Sequence, residues 1–113
     1  MIKIIRERIN ESEVEEFLGH PFQHMVKFVV DLEREWMALG GEMHADGESL
    51  LLDEGSRQEN LWGGNYHPKK PEGSRIEYTS LINIRPSAQN YSWEVSSETI
   101  RSHMKKIVKN LLP

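Results

Sequence analysis

Apolar residues recur along the chain in different rhythms, and each rhythm predicts a kind of element. Between Arg75 and Arg85 the side chains alternate. Ile76, Tyr78, Ser80, Ile82 and Ile84 share one direction, while Glu77, Thr79, Leu81, Asn83 and Arg85 share the other. Period two marks a long, half-buried β-strand, and Pro86 ends it by removing a ladder donor. From Pro21 to Leu39 the apolar positions (Phe22, Met25, Val26, Val29, Leu32, Trp36 and Leu39) fall three or four residues apart. That spacing predicts the principal helix, with Gly40-Gly41 as its stop. Ile100, Met104, Ile107, Val108 and Leu111 repeat the helical spacing near the end, behind Ser96 or Ser97 as the cap.

The intervening stretches are shorter. Ile2, Ile4 and Ile5 predict an opening strand. Ser12 and Glu15 match a capping box for a short helix carrying Val14, Phe17 and Leu18 and stopping at Gly19. Asp46-Gly47 is a two-residue hairpin signal between strands at Gly41–Ala45 and Glu48–Asp53. Arg57–Tyr66 completes the meander before the alternating stretch, with Trp62 and Tyr66 on one face. Its Gly63-Gly64 pair marks a bulge or a close backbone approach. The expected order is β-α-α-β-β-β-β-α. The class is then α+β, a mostly antiparallel sheet of four to five strands with two longer helices packed on one face.

Composition narrows the field. At 113 residues with 37% hydrophobic and 28% charged positions, the chain has the length and make-up of a single globular domain, residues 1–113. Cysteine is absent, which excludes disulfides and thiol chemistry and fits a reducing, cytoplasmic setting. The net charge of −4 argues against a broadly basic nucleic-acid binder. No signal-peptide pattern opens the chain, and no apolar run is long enough for a bilayer, so no membrane partner is expected. Phosphate-loop, dinucleotide-turn and nucleophile-elbow motifs are all missing.

Helices on one face would leave the other sheet face open. Alternation puts Glu42, His44, Asp46, Arg57, Glu59, Asn83 and Arg85 on that face, over an apolar floor of Leu51, Leu61 and Leu81. His44 as acid or base, Glu59 as its partner and Arg85 as an anion clamp would make a small metal-independent hydrolase or ribonuclease-like enzyme. The plainer expectation is a solvated face of cross-strand ion pairs. The polar and aromatic loop after Pro86 adds Ser87, Gln89, Asn90, Tyr91 and Trp93 as ligand contacts, with Glu42, Asp46, Asn83 and Arg85 beside them. His20 and His24 have i,i+4 spacing, but two ligands do not fill a metal site, and neither a metal nor a cofactor is expected. Arg101, Lys105 and Lys109 give the last helix a basic side.

Two stretches, M-A-L-G-G-E-M-H-A-D-G-E-S-L-L-L-D-E-G-S-R-Q-E-N-L-W-G (Met37–Gly63) and S-L-I-N-I-R-P-S (Ser80–Ser87), carry a resemblance. They resemble a family of small prokaryotic proteins known only as a domain of unknown function. The resemblance implies a free-standing small protein and brings no activity with it. The residues then favour a non-enzymatic binding or protein-interaction module, with self-association through the open face or an edge strand. The His44 enzyme is the first alternative, and RNA binding through Tyr91, Trp93 and the lysine face is the second.

Overall fold

Val26–Asp31 and Trp36–Gly40, expected inside one long helix, are strands β2 and β3 of a central hairpin in the computed structural model, which describes all 113 residues. The reason lies in Val26, Phe28, Val29 and Val30. Branched and aromatic side chains fit a pleated surface better than a helix. Asp31 makes the turn. Its Oδ1 accepts from the backbone N–H groups of Glu33 and Arg34 at 2.9 and 3.1 Å, while its Oδ2 accepts from Ser56 Oγ at 2.6 Å. Glu35 completes the reversal at φ +58°, in the left-handed region.

Around this hairpin stand β1 (Ile2–Ile5), β4 (Leu61–Tyr66) and the two-residue β5 (Ile76–Glu77). The sheet is antiparallel throughout, in the order β1-β3-β2-β4-β5. Helix α1 (Glu11–Glu15) is capped by Asn10 with Glu13, two residues ahead of the expected Ser12–Glu15 box. Helix α3 (Glu98–Leu111) starts at Ser97, whose Oγ accepts from Ile100 N–H.

The expected hairpin at Asp46-Gly47 is instead the interior of helix α2, His44–Asp53. Gly47 is there for packing rather than for turning. A Cβ at that position would lie 3.1 Å from Val29 Cγ2 and 3.2 Å from Ala38 Cβ, so glycine lets the helix lie close on the sheet.

The α+β class and an antiparallel sheet of five strands hold, and the helices again number three, but the middle one is α2 and not the expected stretch before Gly40. The expectation of two long helices on one face does not hold. Phe28, Val30, Met37, Leu39, Trp62 and Tyr66 pack with Met104, Ile107 and Val108 of α3 on one side. On the other side Val29, Ala38 and Leu61 meet Leu51 of α2. Both faces of the central strands are therefore covered, and Leu51 and Leu61 are buried rather than forming an exposed floor.

The long strand expected at 75–85 survives only as β5. Beyond it Thr79 makes an isolated bridge to Glu94, residues Leu81–Asn83 form a 3₁₀ turn, and Arg85 bridges to Asn90. Alternation breaks at that turn, so Asn83 is fully buried while Ile84 is exposed. Trp62 and Tyr66 do share a face, and the glycine pair is a close approach without a bulge. A Cβ on Gly63 would sit 2.8 Å from Ser80, and one on Gly64 would sit 2.5 Å from the Glu77 carbonyl oxygen. No helix is long and apolar enough to cross a membrane.

Candidate functional site

A groove of about 450 Å³ opens where α2 begins. Met43, at the helix N-cap, offers no side-chain acceptor to the first turn and is 58% exposed. Opposite it stand Leu81 and Trp93, 61% and 54% exposed, with Ile82 beside them. Met25 and, from β2, Lys27 line it as well. Apolar side chains thus dominate the walls although much of their surface meets water, which is a costly arrangement for a site that is never covered. Its volume lies within the range of about 300–1,000 Å³ usual for small-molecule sites.

The polar groups of the groove sit at its base. His44 is half-buried, and its Nε2 lies 2.7 Å from the Gly64 carbonyl oxygen. A carbonyl only accepts, so Nε2 carries the proton and Nδ1 is left as an acceptor when the ring is neutral. Burial lowers the His44 pKa below the ordinary histidine value, with the nearby Lys27 charge adding to the effect. The hydrogen bond to Gly64 and the closeness of Asn65 oppose it. Beside the histidine, Asn65 Oδ1 is buried and meets no donor. Ser80 Oγ accepts from Ile82 N–H at 3.2 Å, and the Ser80 N–H donates to the Trp93 carbonyl at 3.0 Å.

The residues expected to act with His44 are elsewhere. Arg85 and Glu59 line a different cleft, together with Arg57 and Ser87. Arg85 donates from Nη2 to the Leu61 carbonyl at 2.8 Å and from Nη1 to the Glu59 carbonyl at 3.4 Å, and its guanidinium stacks 4.5 Å from the Trp62 ring centre. The side chain of Glu59 pairs with Arg57. An anion clamp needs free donors aimed outward, and Arg85 has two of its nitrogens engaged by the backbone carbonyls of Leu61 and Glu59. The expected convergence on one open face fails because that face is covered by α2.

Asn83 and Asn90 are structural. Asn83 Oδ1 accepts from Gly63 N–H at 2.8 Å, while Nδ2 donates to the carbonyls of Gly63 at 3.0 Å and Trp93 at 3.1 Å. One amide side chain thus does for Gly63 what a neighbouring strand residue would do. Asn90 donates to the carbonyls of Asn83, Ser92 and Glu94 and accepts from the N–H and Oγ of Ser96, pinning the connection into α3. Asn90 has no hydrogen-bonding capacity left for a ligand, and Asn83 is fully buried. Glu42, Asp46, Ser87, Gln89 and Tyr91 are exposed, and only Trp93 of the loop faces the groove. Arg101 is also committed, with Nε donating to the Val95 carbonyl at 2.6 Å and its guanidinium over Tyr78. His20 and His24 fall outside any helix, so their spacing does not place them on one face.

The sequence reading missed Met25, Lys27, Met43, Asn65 and Ser80. Asn65 carried a faint signal, as the one amide among the apolar and glycine residues of L-W-G-G-N-Y. The others carried none. Residues 3–111 match the family described as protein of unknown function (DUF5674). Neither the curated proteins nor the solved structures include a match.

Proposed function

The chain belongs to that family, and for this member we propose a binding module whose groove at the start of α2 takes up a small ligand. The carrying observation is the exposed apolar wall of Met43, Leu81 and Trp93 around the half-buried His44 and Asn65. Hydrophobic walls with a few convergent polar groups are the usual composition of such sites. The walls stand on a helix terminus, a central strand and a loop pinned by Asn83 and Asn90, so the shape is preorganised and little ordering cost attends binding. A hydrolase or ribonuclease-like mechanism through His44, Glu59 and Arg85 is the weaker reading, because Glu59 and Arg85 line the other cleft with their groups engaged.

Titration of isotopically labelled protein with a fragment library tests this. Amide shifts should cluster at Met43, His44, Asn65, Leu81 and the Trp93 indole. Trp93→Ala and Leu81→Ser should leave stability within about 0.5–1 kcal/mol of wild type, as exposed positions do, and should abolish those shifts. Hits that map elsewhere, or that survive both variants, refute the reading. A dimer in light scattering that Leu81→Ser dissolves would replace it with self-association through the same patch.

A further inference from the structure

The groove's polar groups are specific enough to define the ligand. Asn65 sits on β4 opposite Glu77 of β5, and its Nδ2 lies 3.3 Å from Glu77 Oε1. The same Oε1 also receives His67 Nε2, a contact that holds the Glu77 pKa below the usual carboxylate range. An ionised carboxylate accepts and cannot donate, so the amide orientation is fixed, with Nδ2 toward Glu77 and Oδ1 turned away from it. Oδ1 lies close enough to the His44 ring to favour its protonated form, yet no donor meets it at hydrogen-bonding geometry. His44 spends its proton on the Gly64 carbonyl. While the His44 ring is neutral, Asn65 Oδ1, buried beside it, and His44 Nδ1 are therefore two acceptors with no protein hydrogen-bond donor.

A ligand has to bring the donor. A cationic amine would do so, but Lys27 lines the same groove and its charge already disfavours a positive ring at His44. A sugar would leave most of its hydroxyls against methionine, leucine and tryptophan side chains, which is unfavourable for unpaired polar groups. An acyl chain would cover the walls and leave Oδ1 orphaned. The exposed Trp93 ring and the thioethers of Met25 and Met43 favour an aromatic partner.

We infer that the groove binds a planar, uncharged or anionic nitrogen heterocycle that donates an N–H hydrogen bond to Asn65 Oδ1. This rests on the binding reading above and narrows it to a ligand class.

Indole and 1-methylindole separate the two levels. They share a ring system, and only indole carries the donor. Indole should shift the Asn65 side-chain amide and the His44 ring, and 1-methylindole should bind about tenfold or more weakly, the effect of leaving a buried acceptor unpaired. In Asn65→Leu the preference should vanish through a loss of indole affinity, with 1-methylindole unchanged or tighter. Equal affinity of the two probes for the wild type overturns the donor inference and leaves the binding module standing. So does a groove that other fragments occupy and neither probe enters. Failure of every fragment to bind there overturns both.

Discussion

Removing the Asn83 amide tests the device that holds the groove's far wall. Asn83 has no solvent exposure and makes three hydrogen bonds at 2.8, 3.0 and 3.1 Å, two to Gly63 and one to the Trp93 carbonyl. In Asn83→Ala the Gly63 N–H loses its amide partner inside the protein, and an orphaned buried group costs about 1–3 kcal/mol. The Gly63 carbonyl loses a donor too, while the Trp93 carbonyl keeps the Ser80 N–H. With the cavity left by the missing amide, the total comes to about 3–5 kcal/mol. For a domain whose whole stability is about 5–15 kcal/mol, that is a large fraction. Urea titration should show a lower midpoint with an unchanged slope, and the melting temperature should fall by roughly 10–20 °C. Asn83→Asp sharpens the test. Its second oxygen would face the carbonyls of Gly63 and Trp93, so its carboxyl should be held protonated to a higher pH than in the unfolded chain. A raised folded pKa gives stability that is present at low pH and lost as pH rises. The aspartate variant should therefore gain ground on wild type as pH falls from 7 toward 4. If both variants stay within about 1 kcal/mol of wild type at pH 7, or if the aspartate variant worsens with acid, the strand-mimic role of Asn83 is wrong.

Two further outcomes follow from the packing and from His44. A Cβ at Gly64 would lie 2.5 Å from both the Glu77 carbonyl oxygen and Phe28 Cζ, and a backbone oxygen within the sheet cannot easily retreat. Gly64→Ala should thus cost about 3 kcal/mol or more by chemical denaturation, and a variant as stable as wild type would show that β5 can shift freely. His44 is held neutral chiefly by burial. Its folded pKa lies below the unfolded value of about 6.5, so the unfolded chain takes up more protons between the two. Stability from this residue is present above that pH and drains away as the solution is acidified toward the folded value. His44→Gln should flatten the stability profile between about pH 7 and 5. An NMR titration of the His44 ring with a midpoint at or above the ordinary histidine value would contradict this.

Much of the fold was legible wherever neighbours in sequence settle the outcome. The opening strand Ile2–Ile5, the last helix with its Ser97 cap, the shared face of Trp62 and Tyr66, and the close approach at Gly63-Gly64 all depend on short-range patterns. The principal helix was misread because β2 and β3 are buried on both faces. A strand covered on both sides loses its polar alternation, and its apolar run then admits a helical spacing as well. Gly47 misled in the opposite direction. Asp-Gly is a turn signal in isolation, and nothing local reveals that Val29 and Ala38 lie where a Cβ would go. Of the candidate site residues, His44 and Trp93 line the groove, while Asn83, Asn90 and Arg85 have their polar groups engaged within the fold.

By itself, then, the sequence determined the α+β class, the opening strand and the last helix with its serine cap, because hydrophobic period and capping chemistry act over a few residues. Tertiary structure alone decided which middle segments became strand or helix and which face each covered. It also decided where a site could form. The groove draws Met25 and Lys27, Met43 and His44, Asn65, Leu81 and Trp93 from separate segments. Their meeting depends on sheet order and on one glycine-mediated helix contact, which are long-range facts that no local pattern encodes.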